Sequence, residues 1–388
     1  MPARPTPREP PMRRRPAALA LATALTLGLG LTAAPAVAVP GPPVPPVSPS
    51  TASALEAAEP PNFDRLTPSA HPVELTSDPR DLGKVTYTYD GQTHTVRDYL
   101  NRAAQGFLVL DGTRILDEWY APGYSKDSLF QSWSMAKSYT ADAIGVALGE
   151  GEIRSIDDTA GAYVPELANT AYGAVTIRNL LRMASGIGWN ETVDDVPLHV
   201  GVSLGLYSTL QFAATRTKAV DQGTQFNYTS LNTAVLALVL QRATGEPYYR
   251  YLQERIWGPG GMAGTAYVGN DSHGDALGYC CIYATDRDFA RMGKLMLDGG
   301  RGVVPAAWVS QVGTPSGVNP SYGLGWWIDG QDGYYASGLG GQLIYVSTKY
   351  RVVIVKSTFL NPDEGETLPA FRAVAAEVAR TREPARAG

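Results

Sequence analysis

Strand-forming runs stand at both ends of the foldable part of this chain, and helix-forming ones fill the middle. Residues 106–121 hold two apolar runs around Asp111-Gly112, the pattern of a β-hairpin. Residues 334–345 and 351–359, the latter with Val352-Val353-Ile354-Val355, supply two more strands. Between them, residues 176–184 stopped by Gly186, 231–244 stopped by Gly245, 248–256 before Gly258-Pro259, and 286–297 read as helices. The last of these puts Phe289, Met292, Leu295 and Met296 on one face, and residues 368–380 form a closing helix. Strands so far apart in sequence are expected to meet in one antiparallel sheet, with flanking helices and a mainly helical subdomain over about residues 150–300. This is an α+β architecture whose crevice lies where the two parts join. With 388 residues and 44% hydrophobic content, the chain is long enough for one large domain or two interlocked ones.

Chemistry points to the start of the helical part. Ser134 and Lys137 fall one turn apart, just before the small and apolar residues 141–149, which read as a helix. Residues at i and i+3 share a helix face, so the amine can reach the hydroxyl. Free N–H groups and positive potential at a helix N-terminus favour a serine alkoxide and a less basic lysine. A serine needs such a neighbouring base to become a nucleophile.

The surrounding motifs carry a family resemblance. Ser134-Met135-Ala136-Lys137 resembles the Ser-x-x-Lys of the serine β-lactamase and penicillin-binding-protein superfamily. Leu180-Leu181-Arg182-Met183-Ala184-Ser185-Gly186-Ile187 is similar to a segment of its class C β-lactamase-like branch, and Phe226-Asn227-Tyr228-Thr229-Ser230 to that branch's Tyr-x-Asn element. Trp257-Gly258-Pro259-Gly260-Gly261-Met262 and Tyr322-Gly323-Leu324-Gly325-Trp326-Trp327 follow in the same order. The resemblance implies a β-lactamase/transpeptidase-like fold. It makes Ser134 the acylated nucleophile, Lys137 its proton-transfer partner and Tyr228 a second acid/base.

Two departures shape the expected substrate. Ser230 stands where the family usually has Asn, and the third family motif is matched only by Gly338-Leu339-Gly340-Gly341, with neither charge nor hydroxyl. That loss argues against β-lactams and peptidoglycan stems and for neutral esters or small amides. The pattern is similar to the esterase and 6-aminohexanoate-dimer hydrolase group. The backbone N–H groups of Ser134 and Gly341 are the expected oxyanion hole, which needs donors and not particular side chains. Residues 188–222 should form a loop over the crevice, with Trp189, Asn190, Asp194 and Tyr207 as substrate contacts beside Ser230 and Gly340. Two alternatives stand beside this reading. One is a DD-peptidase or β-lactamase with an unusual third motif, and the other is a catalytically silent binding or sensing module.

Gly201-Val202-Ser203-Leu204-Gly205 spells the nucleophile elbow of α/β-hydrolases, but the histidine that must follow is matched only by His273 in a polar loop, and no alternation of parallel strands and helices accompanies it. The four histidines, His71, His94, His199 and His273, are scattered without zinc-site spacing, and no nucleotide fingerprint is present, so no metal or other cofactor is expected. A net charge of −5 without a basic run after the N-terminus gives no reason to expect nucleic acid as a partner.

Arg13-Arg14-Arg15, the uncharged run 17–34 and Ala36-Val37-Ala38 read as a signal peptide over residues 1–38, by a Sec or twin-arginine route, to a secreted or extracytoplasmic location. No stable membrane partner is expected after its cleavage. Residues 39–61, rich in Pro, Ala and Ser, read as a disordered linker, and 62–384 as the hydrolase domain. Cys280 and Cys281 are adjacent, closer than disulfide geometry prefers, and are expected to be two small packed side chains.

Overall fold

The computed structural model describes residues 62–359, 361 and 363–382. The expected signal peptide and linker lie outside them. The chain runs β1 (Phe63–Leu66), β2 (Thr76–Ser77), β3 (Thr86–Tyr89), β4 (Gln92–Thr95), α1 (Val96–Ala103), β5 (Gly106–Asp111), β6 (Arg114–Tyr120), β7 (Phe130–Gln131) and α2 (Ala136–Glu150). It continues through α3 (Ile177–Leu181), α4 (Glu191–Ser203), α5 (Thr209–Ala214), α6 (Ser230–Thr244), α7 (Tyr248–Leu252), β8 (Ala266–Gly269), β9 (Ile282–Ala284), α8 (Asp286–Leu297) and α9 (Ala306–Val312). It closes with β10 (Trp327–Asp329), β11 (Gly333–Gly338), β12 (Gln342–Ser347), β13 (Val352–Ser357) and α10 (Thr367–Arg380).

The main sheet has the order β10-β11-β12-β13-β5-β6-β2, and the two ends of the chain meet where β13 pairs antiparallel with β5, from Val352↔Asp111 to Ser357↔Gly106. Its central strands are buried along their whole length because both faces are covered. Side chains alternate across a strand, so Leu108, Leu110, Val353 and Val355 enter the core shared with α2, α6 and α8. Phe107, Val109, Val352 and Ile354 enter a second core under α1 and α10. This two-sided burial explains why these strands read as unbroken apolar runs.

Three expectations need correction. Residues 334–345 are not one strand but the hairpin of β11 and β12, because Gly340 and Gly341 take φ of 78° and 97°, which reverse the chain. Residues 188–222 are not simply a loop, since they contain α4 and α5. A second sheet, ordered β1-β8-β9-β7, was not expected, its strands being too short for a sequence pattern.

Helices α2 and α6 form the centre of the helical part. Every residue from Ala136 to Ala147 and from Ser230 to Leu240 is buried. A helix enclosed on all sides needs small or apolar residues all round, which is the composition read from the sequence.

Candidate active site

Strand β7 leads into a 3-10 turn, Trp133–Met135, that carries Ser134 and runs directly into α2. Two hydrogen bonds clamp the residue before it: Ser132 N–H donates to Ile282 O (2.7 Å), and Ile282 N–H donates to Ser132 Oγ (3.1 Å). Between the clamp and the serine, Trp133 has φ +44°, a conformation that a bulky side chain rarely adopts. Such strain persists only where the surroundings over-determine it. Here it makes the sharp bend that presents Ser134 at the helix N-terminus.

Lys137 lies in the first turn of α2 and is only 2% exposed. Its Nζ is 2.8 Å from Ser134 Oγ and also donates to Ser230 Oγ (3.0 Å) and to Tyr279 O (3.2 Å). Ser230, the first residue of α6, passes its own hydroxyl hydrogen to Glu191 Oε1, while Ser230 N–H donates to Glu191 Oε2 (2.9 Å). Trp189 Nε1 donates to the same oxygen (2.6 Å). Lysine, serine and carboxylate therefore form one connected chain.

Tyr228 reaches the site through its ring. Lys137 Nζ lies 4.9 Å from the ring centroid, and among the described residues its hydroxyl makes no hydrogen bond. The ring stacks on Trp327 (centroids 5.5 Å apart, 24°) and meets the edge of Tyr322 at 6.1 Å. The Tyr-Gly-x-Gly-Trp segment thus forms an aromatic wall behind Tyr228.

The other expected site residues separate. Ser230 is in the site. Trp189 is buried, holding Glu191 and meeting Phe212 edge-on. Asn190 caps α4, its side chain accepting from Thr192 N and Val193 N. Asp194 accepts from Asn190 N–H and pairs with Arg216. Tyr207 stacks on Phe212 and donates to Pro197 O. Asn190, Asp194 and Tyr207 thus shape the segment over the crevice. Gly340 is a turn residue, and Gly341 does not serve as drawn: its N–H donates to Gly338 O (3.0 Å), and its Cα faces Asn361 and Lys356. Gly338 is the turn residue that touches the nucleophile segment, since a Cβ there would meet Ser132 O at 2.4 Å and Trp133 Cβ at 3.1 Å. Ser203 ends helix α4 and its carbonyl accepts from Asn62 Nδ2 (3.1 Å), so it sits in no strand-to-helix elbow.

Sequence reasoning missed the inner face of α4. Glu191, Asp195 and His199 recur at spacings of four, one helical face. Pro197 in the same stretch conceals the helix. Asp195 keeps Oδ1 buried without a hydrogen bond, and burial, then the Glu191 charge, push its pKa up, against the pull of Lys137. His199 lies beside Trp133 and Tyr279, and burial pushes its pKa down.

Cys280 and Cys281, expected as separate side chains, are joined in a disulfide with Cα atoms 3.7 Å apart. The adjacent pair closes because Cys281 takes φ +72°, turning its side chain back onto its neighbour. His199 and the two sulfurs lie within 4.8 Å of one another, but bonded sulfurs offer no thiolate to a metal ion.

A sheet built from both chain ends, a helical part beside it and a Ser-x-x-Lys pair at the head of the buried central helix define the class of β-lactamase-fold serine hydrolases. The chain belongs to the beta-lactamase family, whose model matches residues 93–378. It is 31% identical over 289 residues to the 6-aminohexanoate-dimer hydrolase of Paenarthrobacter ureafaciens, covering 66% of this chain and 73% of that one. It is 28% identical over 195 residues to esterase EstB of Burkholderia gladioli, covering 47% of each. Among solved structures, a Bacillus anthracis protein assigned as a 6-aminohexanoate-dimer hydrolase superposes with a TM-score of 0.72 at 22% identity, over 82% of this chain and 90% of that one. EstCE1, a hydrolase with promiscuous acyltransferase activity, superposes at 0.58 and 16% identity, over 72% and 95%. At these identities the structural likeness speaks for the fold alone.

Proposed function

We propose that the protein is an exported serine hydrolase that cleaves a carboxylic ester or a small amide through an acyl-enzyme on Ser134. The observation that carries the reading is the set of partners around Lys137. Tyr279 O can only accept, and Ser230 Oγ, having given its hydrogen to Glu191, also accepts. Those two acceptors take both hydrogens of a neutral amine. Its lone pair is then left towards Ser134 Oγ, 2.8 Å away, the arrangement a general base needs.

In the reaction, Lys137 takes the Ser134 proton as Oγ attacks the carbonyl carbon. The tetrahedral oxyanion is held by Ser134 N–H and by a second backbone donor from the β11–β12 turn. With Gly341 N–H already used, Leu339 next to Gly338 is the residue for that role. The leaving alkoxide or amine departs protonated, by way of Lys137 or Tyr228. Water activated by the same groups then releases the acid.

A substrate without a carboxylate at the reacting end fits the surroundings. The third motif brings no cation, and α4 adds the carboxyl groups of Glu191 and Asp195. The relatives named for 6-aminohexanoate dimers and for esters support the same substrate classes. Export rests on the N-terminal sequence.

The test is hydrolysis of short p-nitrophenyl esters and of the linear 6-aminohexanoate dimer by wild type and by Ser134→Ala, beside incubation with penicillin. Turnover of an ester or the dimer that disappears in Ser134→Ala, with no penicilloyl adduct, supports the proposal. A penicilloyl adduct that turns over would move the protein to the peptidase and β-lactamase side.

A further inference from the structure

The Cys280–Cys281 disulfide has no part in the chemistry above, yet it is built into the backbone that holds the nucleophile. Three anchors run from the five residues 278–282 to the Ser134 segment. Gly278 O accepts from Thr140 Oγ1 (2.6 Å), Tyr279 O accepts from Lys137 Nζ (3.2 Å), and Ile282 exchanges two hydrogen bonds with Ser132. The disulfide lies between the second anchor and the third. One side of it fixes the lysine, and the other fixes the turn that carries the serine.

Breaking the bond must move one side or the other. Bonded sulfurs stand about 2 Å apart, whereas unbonded heavy atoms rest at roughly 3.5–4 Å. Both cysteines are buried, at 4% and 2% exposure, and Cys281 Cβ is packed against Gly269, in a close-packed interior that transmits such a change to its neighbours. Cys281 at φ +72° also loses the covalent closure that keeps a non-glycine residue in the left-handed region.

We propose that Cys280–Cys281 is a redox modification site for the active centre, with the disulfide holding Lys137 and Ser134 in register and the dithiol releasing them. The proposal rests on the reading of Ser134 as nucleophile. The step balances with a small dithiol as reductant. One reagent thiolate attacks a protein sulfur and breaks the S–S bond, and the second displaces the mixed disulfide. Two electrons pass to the protein, leaving two cysteine thiols and a cyclic reagent disulfide. The cyclic disulfide in excess, or another small disulfide, reverses it.

The experiment uses the purified full chain. Protein is treated with dithiothreitol, free thiols are counted by mass after alkylation of an aliquot, and folding is followed by circular dichroism. kcat and KM for p-nitrophenyl acetate and the rate of fluorophosphonate labelling of Ser134 are then measured. Reduction is expected to lower kcat and labelling together by at least about tenfold with KM little changed, since a misplacement of ~1 Å can cost roughly 10²-fold. Reoxidation restores both. Cys280→Ser/Cys281→Ser sits at the reduced level and ignores the reagent. Cys280→Ala/Cys281→Gly, in which glycine adopts the left-handed bend freely, ignores it too but recovers part of the rate. A folded, doubly reduced protein with unchanged kcat would overturn the proposal, as would a buried disulfide that dithiothreitol opens only when the protein unfolds, or a redox response that persists in either double variant. An oxidised protein that neither labels nor turns over overturns the Ser134 reading and this one with it.

Discussion

Lys137 shows how one side chain is committed by its neighbours. Its three partners come from the 3-10 turn before α2, from α6 and from the segment before β9, and behind Ser230 stands Glu191, fixed by Trp189. Glu191 makes the Ser230 oxygen an acceptor for Lys137, so Glu191→Gln blurs that assignment. We expect it to lower kcat by about 10–100-fold, no more than the low end of a full acid–base contribution because Lys137 itself is kept, with a smaller change in KM and a displaced acidic limb of the pH–rate profile, where a base loses its proton. An unchanged profile in the folded variant would reduce Glu191 to packing. Ser134, Lys137 and Tyr228 were legible in the sequence because their spacing is local or sits in a recognisable motif. Glu191 was not, because its bond to Ser230 spans 39 residues and only the fold brings them together.

The β11–β12 hairpin and the helix α4 are the elements that frame this pair. Gly338 has no room for a side chain beside Ser132 O and Trp133 Cβ. Gly338→Ala is therefore expected to push the nucleophile turn aside and cut kcat at least about tenfold while the protein stays folded, an effect of misplacement by a fraction of an ångström or more. Equal kcat for variant and wild type would show that the hairpin does not locate Ser134. The aromatic wall makes a parallel case: Trp327→Ala removes the face on which Tyr228 stacks. It should lower kcat on esters more than Tm, as read by steady-state kinetics beside thermal unfolding. The sequence showed Gly338-Leu339-Gly340-Gly341 as the place of the third motif, yet not that the Gly341 N–H is spent on Gly338 O. It also hid α4, since Pro197 and outward-facing Val193, Val196 and Leu204 obscure the usual amphipathic pattern.

At the scale of the molecule, the expectation of a sheet built from both chain ends agrees with the pairing of β13 and β5. It was legible because a strand covered on both faces writes a continuous apolar run. Lys356 interrupts that run and is wholly buried in the second core, donating to Tyr99 Oη (2.8 Å). Burial pushes its pKa down to about 7, against the opposing pull of Glu364 and Glu366. The unfolded chain then holds a proton that the folded one lacks between about pH 7 and the ordinary lysine value, so folding stability rises with pH across that window, by up to about 1.4 kcal/mol per pH unit for one proton. Asp286, pushed up to about 7 by burial, acts in the opposite sense but only below that pH. Unfolding by denaturant at pH 7 and pH 9 should show wild type gaining stability relative to Lys356→Met, and a constant difference would contradict the burial argument.

The central claim is that Ser134 is a nucleophile activated by Lys137. Its most direct test is to react the folded protein with a fluorophosphonate at neutral pH, weigh it intact and locate the adduct by peptide mapping. The account predicts one adduct per chain, on Ser134, strongly slowed in Lys137→Ala and undiminished in Ser203→Ala. An adduct on Ser203, or none on a folded and oxidised protein, would contradict it.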